Sequence, residues 1–225
     1  MTPRRQVVMA VTKMLSGMCT AGIALETGKW VRPVKEFTTV IRGDLTYTDK
    51  TIMRPFDIVD LPLIKPRPKL PHCEDWLCDF IGSRPTRVGV LEDRLDFLNK
   101  HSEPDAAGQI LHAERSLALI GPTEVEAFFA QDSYTGKYNV RMRVPEMGER
   151  PVAVTDIKWR ALGRQLLGSS ESLILDSSAI RSRLGVERVF IALGLSRLHE
   201  GRHWPLVIGV HTWPDYEVNV DYDRL

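Results

Sequence analysis

Cysteine is scarce in this chain: Cys19, Cys73 and Cys78 are an odd count without the spacing of a disulfide framework. That usage fits a reducing cytoplasm and excludes a small domain stapled by bridges. Long hydrophobic runs are missing too. No stretch approaches the roughly 20 apolar residues needed to span a bilayer, so no membrane partner is expected. The start, MTPRRQVVMAVTKMLSG, is basic and then apolar, but Thr12 and Lys13 interrupt the run, which predicts a first strand rather than a signal peptide. Charge of one sign is missing. Thirty Lys and Arg against 29 Asp and Glu leave +1, so a binding face must come from local charge segregation. No G-x-S-x-G, Walker loop or dinucleotide fingerprint occurs, and Gly43 and Gly163 stand alone.

What the chain does have is enough apolar residue for a real core. Its 225 residues are 43% hydrophobic and 26% charged, which suits one large domain or two small ones. Short strand signals dominate, separated by turn signals. Gln6–Lys13 is a valine-rich run. Ser16–Gly22 carries two glycines and reads as a turn, and Ile23–Val34 reads as a hairpin about Thr27-Gly28. Pro55–Ile64 reads as an edge strand, followed by the extended, proline-rich KPRPKLPH. In YNVRMRV, Tyr138, Val140, Met142 and Val144 alternate with Asn139, Arg141 and Arg143, the pattern of a half-buried strand with arginines outside. Arg87–Val90, Val152–Val154, Val189–Leu195 and Leu206–His211 are further strand signals. Helical spacing is confined to 91–100, about 157–167, and 178–185. The polar HSEPDAAGQ reads as a boundary. The expectation is a mostly β protein of two tandem small OB-like β-barrels with a few short helices, divided as 1–112 and 113–225.

Three stretches carry a resemblance. They are GIALETGKWVRPV; PHCEDWLCDF; and VAVTDIKWRALGR with the later HWPLVIGVHTWPDY. In these the chain resembles the dual OB domain-containing proteins of bacterial genomes, over nearly its whole length. The resemblance implies two tandem OB barrels and a nucleic-acid-binding role, and it brings no catalytic residues.

The stretch VTDIKWRALGR invites a sharper reading. Asp156 and Lys158 form a D-x-K pair, as in nucleases that place an acid on a metal and a lysine near the attacking water. Thr155 and Asp156 are also good N-cap residues, and Ile157, Ala161 and Gln165 recur at helical spacing, so the plainer reading is a helix cap. The helix would put Arg160 and Arg164 on one face. From Lys137 to Arg164 there are seven basic and three acidic residues, and Tyr134, Tyr138 and Trp159 are interleaved. Basic faces with aromatics suit phosphate contact and base stacking. The expected contacts are Trp30, Arg32, Arg141, Arg143, Lys158, Arg160 and Arg164.

Two further clusters carry candidate chemistry. His72, Cys73 and Cys78 are soft ligands, but C-x4-C is not a usual zinc spacing and neighbouring residues on extended chain point apart. His199 and His203 flank a turn at Glu200-Gly201, with Asp215 further on, which could make a hydrolytic site or merely a polar loop. No cofactor is expected. The leading partner is single-stranded DNA or RNA with little sequence choice. The alternatives are a metal-dependent nuclease or phosphodiesterase using Asp156 and Lys158, and an accessory subunit with a protein partner.

Overall fold

The computed structural model describes residues 5–14 and 17–222. The first sheet is built from β1 (Arg5–Met14), β2 (Gly17–Ala24), β3 (Trp30–Val34), β4 (Asp57–Asp60), β5 (Leu63–Pro66), β6 (Asp75–Cys78) and β7 (Thr86–Val90), in the order β5-β6-β3-β2-β1-β4-β7. Two helices follow, α1 (Arg94–His101) and α2 (Ala106–Leu111). The second sheet comprises β8 (Leu117–Ile120), β9 (Glu126–Gln131), β10 (Tyr138–Arg143), β11 (Val152–Val154), β12 (Ser172–Leu175), β13 (Arg188–Leu195) and β14 (Pro205–Trp213), ordered β12-β9-β10-β11-β14-β13-β8. Helix α3 (Ile157–Leu167) lies between β11 and β12, and α4 (Ser177–Leu184) between β12 and β13. The protein is therefore mostly β, as its short alternating segments predict. No helix among the described residues is long and apolar enough to cross a membrane.

Strand β10 keeps the alternation of its sequence: Tyr138, Val140 and Met142 are buried, while Asn139 and Arg141 are exposed. Helix α3 spans the range its spacing predicts. The Ser16–Gly22 expectation fails over its described part, Gly17–Gly22, which is strand. There glycine permits close approach instead of a turn, because a Cβ on Gly22 would strike the Val7 carbonyl and one on Gly17 the Val40 carbonyl. The expected boundary HSEPDAAGQ carries the end of α1 and the start of α2.

The two sheets share a seam. Val7 and Met9 of β1, Trp30, Phe56, Leu98 of α1, Leu117 and Leu119 of β8, Phe190 of β13 and Ile208 of β14 form one buried cluster. At Gly209 the backbone of β14 comes so near β1 that an added Cβ would stand 2.6 Å from the Met9 carbonyl oxygen. The amide of Lys13 donates to the Thr155 carbonyl at 3.0 Å, and Ile157 at the start of α3 joins the core beneath the first sheet. The expected division between 112 and 113 falls in the loop before β8. Helix α2 nevertheless buries Ala106, Ala107 and Ile110 in the core of the second sheet.

Candidate nucleic-acid interface

Strand β11 ends at Val154 and the chain turns at once into α3, so Asp156 becomes its N-cap. The side chain is 2% exposed, and its oxygens are taken: the amide of Lys158 donates to Oδ1 at 2.9 Å and that of Val210 to Oδ2 at 2.8 Å. Burial pushes this carboxyl up to about 6 despite the backbone donors around it. Lys158 points elsewhere. Its Nζ donates to Asp215 Oδ1 at 2.6 Å and lies 4.1 Å from the centre of the Tyr216 ring. Arg94 Nη1 holds the other oxygen of Asp215 at 2.7 Å. The D-x-K pair thus faces no common opening, and a metal could reach Asp156 only by dismantling a buried cap. The structure corrects the nuclease geometry expected of Asp156 and Lys158.

The arginines of α3 and β10 do not make one face. Arg160 donates to the carbonyls of Val154 and Tyr138, both at 3.3 Å. Arg164 lies 4.2 Å from the centre of the Tyr138 ring. Tyr138 is buried and points inward, whereas Arg141 and Arg143 point outward from the same strand. Arg160 and Arg164 are therefore anchored on the inner side of β10, and the expected joint surface is not formed. Arg143 Nη2 is paired with Glu126 at 2.6 Å, with Glu149 at 3.6 Å from Nη1. Arg141 is exposed. Its Nη1 donates to the Pro151 carbonyl at 3.2 Å, and among the described residues no acidic side chain pairs with it.

Trp30 and Arg32 are spent on structure. Trp30 is 6% exposed within the seam core, so it presents no ring face to a base. Arg32 is buried; its Nε donates to Asp75 Oδ1 at 2.7 Å and its Nη2 to Ser116 Oγ at 3.1 Å. Asp75 Oδ2 also accepts from Arg197 Nη2 at 2.7 Å. This Arg32–Asp75–Arg197 chain ties the first sheet to the end of β13.

The remaining clusters come apart similarly. His72 is buried, Cys73 exposed and Cys78 buried, with all three cysteines free. Among the described residues no three His, Cys, Asp or Glu side chains are placed to hold a metal. The His72 ring instead meets His203 edge-on with centres 5.1 Å apart, and burial beside the Arg32 and Arg197 charges pushes His72 down to about 3. The turn at Glu200-Gly201 is present, with both residues at positive φ (52° and 78°), as a two-residue hairpin turn requires. His203 Nδ1 is bonded to the Ser196 carbonyl at 2.8 Å, and His199 pairs by backbone with Arg202. Among the described residues no acid–histidine pair forms there.

One arrangement escaped the sequence. Phe128 of β9 sits directly opposite Arg141 of β10 on the outer face, and Ile174 of β12 is directly opposite Phe128 on the other side. Phe128 is half-buried and Ile174 is 59% exposed. Alternation in EAFFAQ could have shown that one of its two phenylalanines must face outward. Its pairing with Arg141 depends on a register no single segment reveals. The β9–β10 turn, at one end of this face, carries Tyr134, 97% exposed, and Lys137.

Over residues 4–210 the sequence matches the family of the dual OB-containing domain. No curated protein and no solved structure is significantly similar to it.

Proposed function

The chain belongs to the dual OB-containing domain family, and from that premise we propose that it binds nucleic acid, single-stranded and with little sequence choice. A fold alone does not carry a function. The observation that carries this one is the Arg141–Phe128 pair: an exposed guanidinium, without an acidic partner among the described residues, beside a partly open aromatic ring on the outer face of an OB sheet. Sequence-tolerant strand binding needs those two chemistries side by side, a cation for phosphate and a ring for whichever base arrives. Lys137 and Tyr134 extend the same pair of chemistries to the adjoining turn. Arg143 is a weaker contributor, because Glu126 already neutralises it. Lys158, Arg160 and Arg164 support the fold of α3 more than they offer charge to a ligand.

The test is a titration against labelled single- and double-stranded DNA and RNA at low and high salt, with and without magnesium. Binding to single strands at low salt that collapses at high salt is expected, with no cleavage in the magnesium arm. No binding in any arm would overturn the proposal and leave a protein-docking role. Magnesium-dependent cleavage would reinstate an enzymatic one.

A further inference from the structure

Only half of the outer face that carries Arg141 is open. The registers set a row across it: Ile174 of β12, Phe128 of β9, Arg141 of β10, Ala153 of β11 and Leu206 of β14. Directly paired residues share one face of a sheet. Ile174 and Arg141 are exposed, Ala153 and Leu206 are half-buried, and Gly194, opposite Leu206 on β13, is buried. Beyond Leu206 the first sheet covers this face, through Ile208, Ala192 and Phe190 in the seam core. The next ring and cation stand at that boundary. Trp204 lies two residues before Leu206, on its side of β14, as Pro151 lies two before Ala153, and Arg141 holds the Pro151 carbonyl. Trp204 is 37% exposed, with the Arg202 guanidinium 4.2 Å from its ring centre. The β13–β14 hairpin that carries both touches the first half of the chain, because His203 meets His72 there. His72 closes the turn 69–72 by exchanging backbone hydrogen bonds with Lys69 at 3.2 and 2.6 Å. Lys65 and Lys69 are exposed, and among the described residues neither side chain has a partner. From Leu61 to Cys73 the sequence holds Lys65, Arg67 and Lys69 and no acid. Asp75 and Glu74 offset Arg32 and Arg197, so that buried group adds no charge. Glu200 at the hairpin tip and Glu36 beside Arg67 remain as exposed acids, against Arg141, Arg202, Lys65, Arg67 and Lys69.

We propose that the nucleic-acid path continues from Arg141 over Trp204 and Arg202 onto the Lys65–Lys69 segment, so that one single strand spans both halves of the chain. This path rests on the nucleic-acid reading above and gives it a direction and a length. Trp204 supplies a ring for a base, and Arg202, Lys65 and Lys69 supply charge for phosphates. The proline-rich KPRPKLPH thereby has a use: Pro66 and Pro68 hold extended backbone, which keeps the lysines on an exposed edge.

The test compares strand lengths. The full chain is titrated with homopolymeric single-stranded DNA of about 5 and about 25 nucleotides, because one OB barrel covers roughly 4–16. For the long strand, Arg141→Ala and the pair Lys65→Ala with Lys69→Ala should each weaken binding. The pair should make the slope of log affinity against log salt shallower by about two. Trp204→Ala should weaken the long strand about fivefold or more, as loss of one stacked base does. For the short strand only Arg141→Ala should matter. In the unaltered chain, ultraviolet crosslinks of the long strand should fall on the peptides that hold Phe128, Trp204 and Lys69. Lysine variants that leave the long strand unchanged, or crosslinks confined to β9 and β10, overturn the path and leave the Arg141 face standing. If Arg141→Ala is silent while the lysine pair weakens both lengths, the face fails, and the path that starts from it fails with it. No binding at either length overturns both.

Discussion

Replacing Asp156 by alanine should cost this protein more stability in mild acid than at neutral pH. Two losses are independent of pH. The cap of α3 contributes about 1 kcal/mol, and the Val210 amide, left buried without its acceptor, costs about 1–3 kcal/mol. The third contribution titrates. Burial holds this carboxyl at about 6 in the folded protein, against 3.8 ordinarily. Between those values the folded protein keeps a proton that the unfolded chain has released, so stability falls as pH rises. The contribution is complete below pH 3.8 and gone above about 6, a total of about 3 kcal/mol at 1.36 kcal/mol per pKa unit. The alanine variant lacks it. In urea unfolding at about pH 5 and about pH 7.5, the gap between wild type and Asp156→Ala should narrow by roughly 1–1.5 kcal/mol toward the higher pH. A gap that stays constant, or widens toward neutrality, would refute the reasoning. It would mean that the amides of Lys158, Trp159 and Val210 outweigh burial and hold the carboxylate charged.

Other perturbations test the seam and the packing. Trp30→Ala should lower stability by about 3–5 kcal/mol in chemical denaturation, as loss of a buried aromatic does, while the folded fraction binds nucleic acid as before. Arg32→Ala should cost about 3–5 kcal/mol, seen as a lower thermal midpoint, because Asp75 is left buried with only Arg197 beside it. Gly163→Ala in α3 would drive a methyl into the Phe129 ring and the Tyr138 hydroxyl. It should destabilise by about 1–3 kcal/mol or more in the same assay.

Much of the fold was legible because local pattern decided it. YNVRMRV could alternate only as a half-buried strand, and Thr155-Asp156 followed by helical spacing fixed the start of α3. What escaped was what pairing at a distance decides. The glycines of GMCTAGIA read as a turn because their purpose, close approach to Val7 and Val40, lies in neighbouring strands and loops. Trp30 and Arg32 looked like an exposed aromatic–basic pair until the seam buried both. The seam forms only when residues from both halves of the chain meet. The charge count over Lys137–Arg164 was correct, yet it could not show that Arg160 and Arg164 lie on the Tyr138 side of β10, opposite Arg141. Phe128 was passed over because its significance is entirely its cross-strand neighbour.

The proposed binding face is tested most directly by the salt dependence of single-stranded oligonucleotide binding, wild type against Arg141→Ala. A phosphate-contacting arginine contributes to the slope of log affinity against log salt. The account predicts steep, linear weakening with salt for the wild type, and for Arg141→Ala a lower affinity with a slope shallower by about one. Binding indifferent to salt, or an Arg141→Ala line that coincides with the wild type, would contradict it.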